Sequence, residues 1–288
     1  MTMAADLHAS SIDRTEARHF ASLAAKWWDP QGPFWPLHRL NALRAEWIRD
    51  FLCTRLGRDR AEHRPLAGLT ALDVGCGGGV LSETLAQMGM SVLGIDVVER
   101  NIHVARQHAA QSGLAVHYQL ASAEQLAESG VEFDVVFNME VVEHVADLRG
   151  FMHACNNLVR PGGVMFVATI NRTLPALMAA IFGAEYVLRW LPRGTHHWSK
   201  LRRPEEIRAL LAEGGLHTAD ITGVRVNPLT RRFGYTGYLG INYMLAAERP
   251  ELPEAVATSL RRLSTEDRIV SLAAWAARRA QPMPVDAA

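Results

Sequence analysis

Cysteine is scarce in this chain: three among 288 residues, at positions 53, 76 and 155. That is too few and too scattered for a disulfide framework or a thiolate metal site, and it points to a reducing compartment. Charge of one sign is absent as well, because 30 basic residues balance 30 acidic ones. Nothing global advertises nucleic acid, so no nucleic-acid partner is expected. No basic stretch near the N-terminus leads into an apolar core, so no secretory signal is read there. The uncharged run from Thr173 to Ala184 is too short to span a bilayer, and Glu185 and Arg189 interrupt its extension. The length suits one well-buried α/β domain with appendages.

Glycine is concentrated in one place. In LDVGCGGGVLSETL, Leu72 to Leu85, a buried strand over 71–74 runs into a turn with glycines at 75, 77, 78 and 79. A helix follows, with Leu81, Leu85 and Met88 at helical spacing. Such glycines let the backbone approach a ligand closely, and the first helical N–H groups point into the same space. The dinucleotide fingerprint wants a further glycine at position 80, where this chain has Val80. A second strand, SVLGID, ends in Asp96, whose carboxylate can accept two hydrogen bonds from a ribose diol. Asp73 stands just before the glycines, placed to brace the turn or to meet a ligand's ammonium. An acid, G-x-G-x-G and a strand-tip acid form the pattern of an S-adenosylmethionine (AdoMet) site, with Asp73, Gly75, Gly77 and Asp96 as its residues. A dinucleotide site and a turn that merely connects are the competing readings. Cys76 is either a nucleophile or a small side chain under the ligand.

Further strands are expected over 116–122, 134–137, 164–170, 217–226 and 241–247, the last entering antiparallel after a turn-rich stretch over 227–240. Helices fall between them, over 101–112, 148–158, ended by RPGG at 160–163, and 204–212. The fold class is α/β: a Rossmann-like, seven-stranded, mostly parallel sheet with helices on both faces. Residues 1–65 read as a helical strap and lid, 66–249 as the main domain with an insertion at 172–203, and 250–288 as a helical tail.

Two more groups carry chemistry. Ser122, at the end of the third strand, stands where an adenine ring would sit, or else caps the next turn. At the end of the fourth strand Asn138, Glu140, Glu143 and His144 crowd together beside the glycine turn. Glu140, Glu143 and His144 can share one face of a helical turn and hold a divalent cation such as Mg²⁺. Without a metal, His144 is the best general base; a capping role for the acids is the alternative. Within the strap, the aromatic and proline-rich stretch from Trp27 to Arg44 is expected to form no regular element, with a helix beginning only at 42. It covers something apolar. Trp35, His38 and Arg39 are its candidates for contact with substrate, a structural role being the alternative for Arg39.

The motifs WWDPQGPFWPLHRLN, LDVGCGGGVLSETLAQMG, MEVVEHV, GAEYVLRWLPRGTHHW and NYMLAAE resemble the ubiquinone-biosynthesis O-methyltransferases, over about residues 20–249. The resemblance implies transfer of a methyl group from AdoMet to hydroxyls of polyprenylated catechol or phenol intermediates. It carries cofactor contacts onto Arg44, Gly75, Asp96 and Met139. Family members from mitochondria share the acid-x-x-acid-His group matched by Glu140, Glu143 and His144, which implies a divalent cation there. Other proteins of ubiquinone synthesis are candidate partners. The rival readings are methylation of a soluble small aromatic and a binding protein that keeps an inactive methyltransferase fold.

The insertion carries the expectation about location. Leu174, Leu177, Met178, Ile181 and Phe182 fall on one helical side, followed by Arg189, Trp190, Arg193, Trp198, Lys200, Arg202 and Arg203. An apolar stripe edged with basic residues and tryptophans suits a helix lying on an anionic phospholipid surface. The expected location is cytoplasmic with peripheral membrane association; a purely internal helix is the alternative.

Overall fold

The protein was analysed as a computed structural model, which describes residues 11–29, 31–177, 198–227 and 230–251. Eight strands form one sheet: β1 (Thr70–Val74), β2 (Ser91–Asp96), β3 (Val116–Leu120), β4 (Phe133–Met139), β5 (Val159–Ile170), β6 (His217–Asn227), β7 (Arg232–Thr236) and β8 (Asn242–Glu248). Their order is β3-β2-β1-β4-β5-β8-β6-β7. β1 to β5 pair in parallel, and β8 enters antiparallel between β5 and β6. The mixed Rossmann-like sheet is the expected one, including its antiparallel last-entering strand. Its strand count is not. β7, within the stretch expected to be all turn, pairs antiparallel with the end of β6. Its β-favouring residues Phe233, Tyr235 and Thr236 were hidden among glycines.

The helices are α1 (Arg14–Leu23), α2 (Trp35–Leu56), α3 (Val80–Gln87), α4 (Glu99–Ser112), α5 (Ala123–Ala127), α6 (Leu148–Asn157), the single turn α7 (Leu174–Ala176) and α8 (Pro204–Glu213). α2 corrects the expectation of an irregular stretch up to residue 42. It starts at Trp35 because Pro36 sits in the first turn, where a missing N–H is no loss. Its buried Ala45, Ile48 and Leu52 recur at helical spacing, and Ile48 and Leu52 pack with Phe137, Phe166 and Met244 of the sheet. The next residue along β4, Asn138, points to the opposite face, where its carbonyl accepts from the Cys155 thiol of α6. Helices therefore cover both faces. RPGG ends α6 as expected, yet it belongs to β5, and a register shift between Phe133 and Val135 absorbs the irregularity.

Of the insertion, only 172–177 and 198–203 are described; Phe182, Trp190 and most of the expected amphipathic surface lie outside the described residues, as does the tail from 252. Ala176 and Leu201 are buried against Ile170, while Leu174 is 70% exposed. Among the described residues, no helix is long and apolar enough to cross a membrane.

Candidate active site

Strand order reverses direction between β1 and β4, and an open parallel sheet binds ligands in the crevice this leaves at the strands' carboxyl ends. Here that crevice is a cavity of about 330 Å³, roofed by α1, the strap and the first turns of α2. Arg44, Asp73, Gly75, Gly77, Asp96, Ser122 and Met139 all line it, so every residue expected at the cofactor comes to one place. Gly75 and Gly77 are left-handed, with φ of 67° and 55°. Asp96 accepts from the backbone N–H of Gly77 at 2.9 Å and of Val98 at 2.7 Å. Burial nevertheless raises its pKa. Asp73 accepts from the Ser82 hydroxyl at 2.6 Å, and burial lifts it to about 7. Ser122 caps α5 with Gln125 in a reciprocal pair while also lining the cavity. Cys76 is sealed in, and burial drives its thiol far from the reactive thiolate, which leaves it the role of a small filler.

The far wall of the same cavity carries Glu140, His144 and, unforeseen from the sequence, Glu16 of α1. Glu140 is held at φ 61°, a strained conformation for a residue with a side chain, and its carboxylate pairs with the buried guanidinium of Arg44. Nδ1 of His144 lies 3.3 Å from Glu16 Oε2, an ion-pair distance without hydrogen-bond alignment, and the ring meets Phe20 edge-on at 5.1 Å. Burial alone would lower the His144 pKa, but the carboxylates of Glu16, Glu143 and Glu140 outweigh it and raise it. Burial would likewise raise Glu16, yet His144 and Lys200 outweigh it and hold the acid at about 2. Lys200 Nζ reaches Glu16 Oε1 at 2.9 Å and Asp13 Oδ2 at 2.7 Å, so the end of the insertion is tied to the N-terminal helix beside this wall.

A family model described as a methyltransferase domain matches residues 72–167, from the start of the glycine motif into β5. The "Ubiquinone biosynthesis O-methyltransferase" of Sinorhizobium fredii is 54% identical over 241 residues, covering 84% of this chain and 97% of that protein. The protein of the same name from Sinorhizobium medicae is 55% identical with the same coverage. The chain belongs to the ubiquinone biosynthesis O-methyltransferase family. Among solved structures, magnesium protoporphyrin IX methyltransferase (ChlM) from Synechocystis PCC 6803 with bound SAH is similar in fold. It has a TM-score of 0.55 at 20% identity, over 82% of this chain and 93% of that one.

In this member of the ubiquinone biosynthesis O-methyltransferases two groups of expected residues are not brought together. Glu140, Glu143 and His144 do not converge on one point in this structure; among the described residues, no three His, Cys, Asp or Glu are grouped closely enough to hold a metal ion. Glu140 is turned to Arg44 and His144 to Glu16, while Glu143 lies behind the wall, 2% exposed, accepting from the Thr169 hydroxyl at 2.8 Å. Burial raises the Glu143 pKa. The second group is the strap trio. His38 is held by the Trp27 carbonyl at 2.8 Å, and Trp35 and Arg39 line a separate outer recess with Arg231 and Arg232. None of the three lines the main cavity. The residues missed were Glu16 and Asn101, both on its wall beside Trp27 of the covering strap. Glu16 had a signal: an acid four residues before Phe20 interrupts the apolar stripe of α1, and such an acid is placed to face the site.

Proposed function

We propose that this enzyme transfers the AdoMet methyl group to a hydroxyl of a polyprenylated catechol or phenol of ubiquinone biosynthesis. What carries the reading is one continuous cavity running from the glycine turn to His144, walled by Phe20, Leu23, Leu37 and Phe151. The name shared by relatives 54–55% identical supports the substrate class. AdoMet, when bound, supplies an electrophilic methyl carried on a sulfonium. The chain's own residues do the rest. Asp96 takes the ribose hydroxyls, Ser122 borders the adenine, Met139 packs its thioether on the cofactor and Arg44 neutralises its carboxylate. His144 accepts the phenolic proton, and Glu16 favours the imidazolium that results. The apolar wall excludes water and holds the oxygen in line behind the methyl, and such positioning is worth several kcal/mol of barrier, up to about 11 at best for rigid systems. Were Glu140, Glu143 and His144 to hold a divalent cation, it would lower the pKa of the substrate hydroxyl; the steps above use the chain's own groups.

The test supplies methyl-labelled AdoMet with either a short-prenyl catechol or plain catechol. Methylated product, made faster from the prenylated compound, is expected. Faster turnover of plain catechol would favour the soluble-aromatic reading, and cofactor binding without product from either would favour an inactive fold. The family reading extends to location: residues 173–203 dock on an anionic phospholipid surface from the cytoplasmic side, leaving the prenyl tail in lipid. Cardiolipin-containing liposomes should float the wild-type protein, whereas aspartate at both Phe182 and Trp190 should abolish flotation in a folded variant. Undiminished flotation of that variant would place the contact elsewhere.

A further inference from the structure

The strap does more than cover the cavity. Trp27 follows the 3₁₀ turn Ala24–Lys26, and its indole stacks on Phe34 with ring centroids 3.9 Å apart and planes 2° from parallel. The ring lies directly on the glycine turn: a side chain at Gly77 or Gly78 would come within 2.5 Å or 2.4 Å of Trp27 atoms. The one polar atom of the indole, Nε1, donates to Asn101 Oδ1 at 2.9 Å, and Asn101 Nδ2 donates to Asp96 Oδ2 at 3.3 Å. Both bonds are buried, and Asn101 is 2% exposed. This arrangement has one solution. An indole N–H only donates and an ionised carboxylate only accepts, so the Asn101 amide, with one group of each kind, satisfies both neighbours in a single orientation. Three residues from the strap, α4 and β2 are thus fixed in series.

We propose that Trp27 and Asn101 are positioning residues for the cofactor: through Asn101, Trp27 sets the Asp96 carboxylate for the ribose, so that strap closure and cofactor binding are coupled. The inference rests on the reading of Asp96 as the ribose acceptor. A tryptophan that only packs would matter equally for any ligand in the cavity. One that acts through Asp96 matters only for a ligand with ribose hydroxyls.

Calorimetric titration of S-adenosylhomocysteine and of its 2′,3′-dideoxy analogue separates the two. Trp27→Phe keeps the stacked ring and removes the N–H. It should raise Kd for S-adenosylhomocysteine about fivefold, one ordinary hydrogen bond, and leave Kd for the dideoxy analogue within about twofold. Asn101→Ala, which leaves the indole in place, should show the same selectivity and serves if the Trp27 variant does not fold. Combining the two should add little to the larger single effect. Equal losses for both ligands, or additive losses in the double variant, would overturn the coupling. Unchanged S-adenosylhomocysteine affinity in Asp96→Asn, with folding intact, would instead overturn the ribose assignment on which it stands.

Discussion

Replacing Gly77 by alanine tests how tightly the strap is seated. Two costs add. Alanine at φ 55° is strained by about 1–2 kcal/mol, as at any left-handed position. Its Cβ would also lie 2.5 Å from Trp27 Cζ2 and 2.6 Å from Cη2. The indole cannot swing away cheaply, since Phe34 stacks on it and Asn101 holds its nitrogen, so overpacking contributes about 1–3 kcal/mol more. Gly113, the cap of α4 at φ 65°, is the control, because a Cβ there meets nothing within 4 Å. Urea unfolding should therefore find Gly77→Ala destabilised by about 2–5 kcal/mol and Gly113→Ala by about 1–2 kcal/mol. Trp27→Leu removes the colliding ring atoms, so in its background the excess cost of Gly77→Ala should vanish. Equal costs at the two glycines, or strictly additive costs of Gly77→Ala and Trp27→Leu, would refute the reasoning.

Three further predictions follow from the far wall. Glu16→Gln should lower kcat/KM about ten- to hundredfold, the loss of one charge-assisted interaction, and a pH–rate profile should show its acid limb moved to lower pH, because His144 loses the carboxylate that raises its pKa. Glu143 has its pKa raised by burial, so the wild-type fold loses stability as pH rises from the ordinary carboxylate range through the folded value. Glu143→Gln should thus be more stable than wild type at pH 8 and about equal at pH 4, read as urea midpoints. Asp13 and Glu16 are depressed to about 2, so their contribution is full above the ordinary carboxylate values of 3.8 and 4.5 and lost as pH falls to about 2. Lys200→Met should already expose the strap to limited proteolysis at pH 7, and unchanged cleavage there would rule out a latch.

The parts of the fold that could be read from sequence were those in which each local signal agreed with its neighbours. The glycine turn between an apolar strand and an amphipathic helix is such a case, and the structure brings it to one cavity with Asp96 at the tip of β2. Trp35 to Arg44 misled because proline and aromatics suggest irregular chain, whereas Pro36 in a first turn starts a helix. β7 was hidden by the glycines around it. The acid-x-x-acid-His group is arranged differently from its helical reading. Helical spacing would set its three side chains on one face, but at φ 61° Glu140 breaks the helical path and each side chain finds its own partner. Those partners, Arg44, Thr169 and Glu16, are 96, 26 and 128 residues distant in sequence, read as position differences 140 − 44, 169 − 143 and 144 − 16. No local pattern announces such pairs.

On the proposed reading His144, set against Glu16 in the cavity assigned to the cofactor, takes the proton of the hydroxyl being methylated. The most direct measurement compares methyl transfer to a short-prenyl catechol by wild type and His144→Ala, with S-adenosylhomocysteine affinity titrated on the same samples. Affinity should stay within about twofold while turnover falls at least about a hundredfold, the usual contribution of a general base. Turnover near the wild-type rate in a folded His144→Ala, with the cofactor still bound, would contradict it.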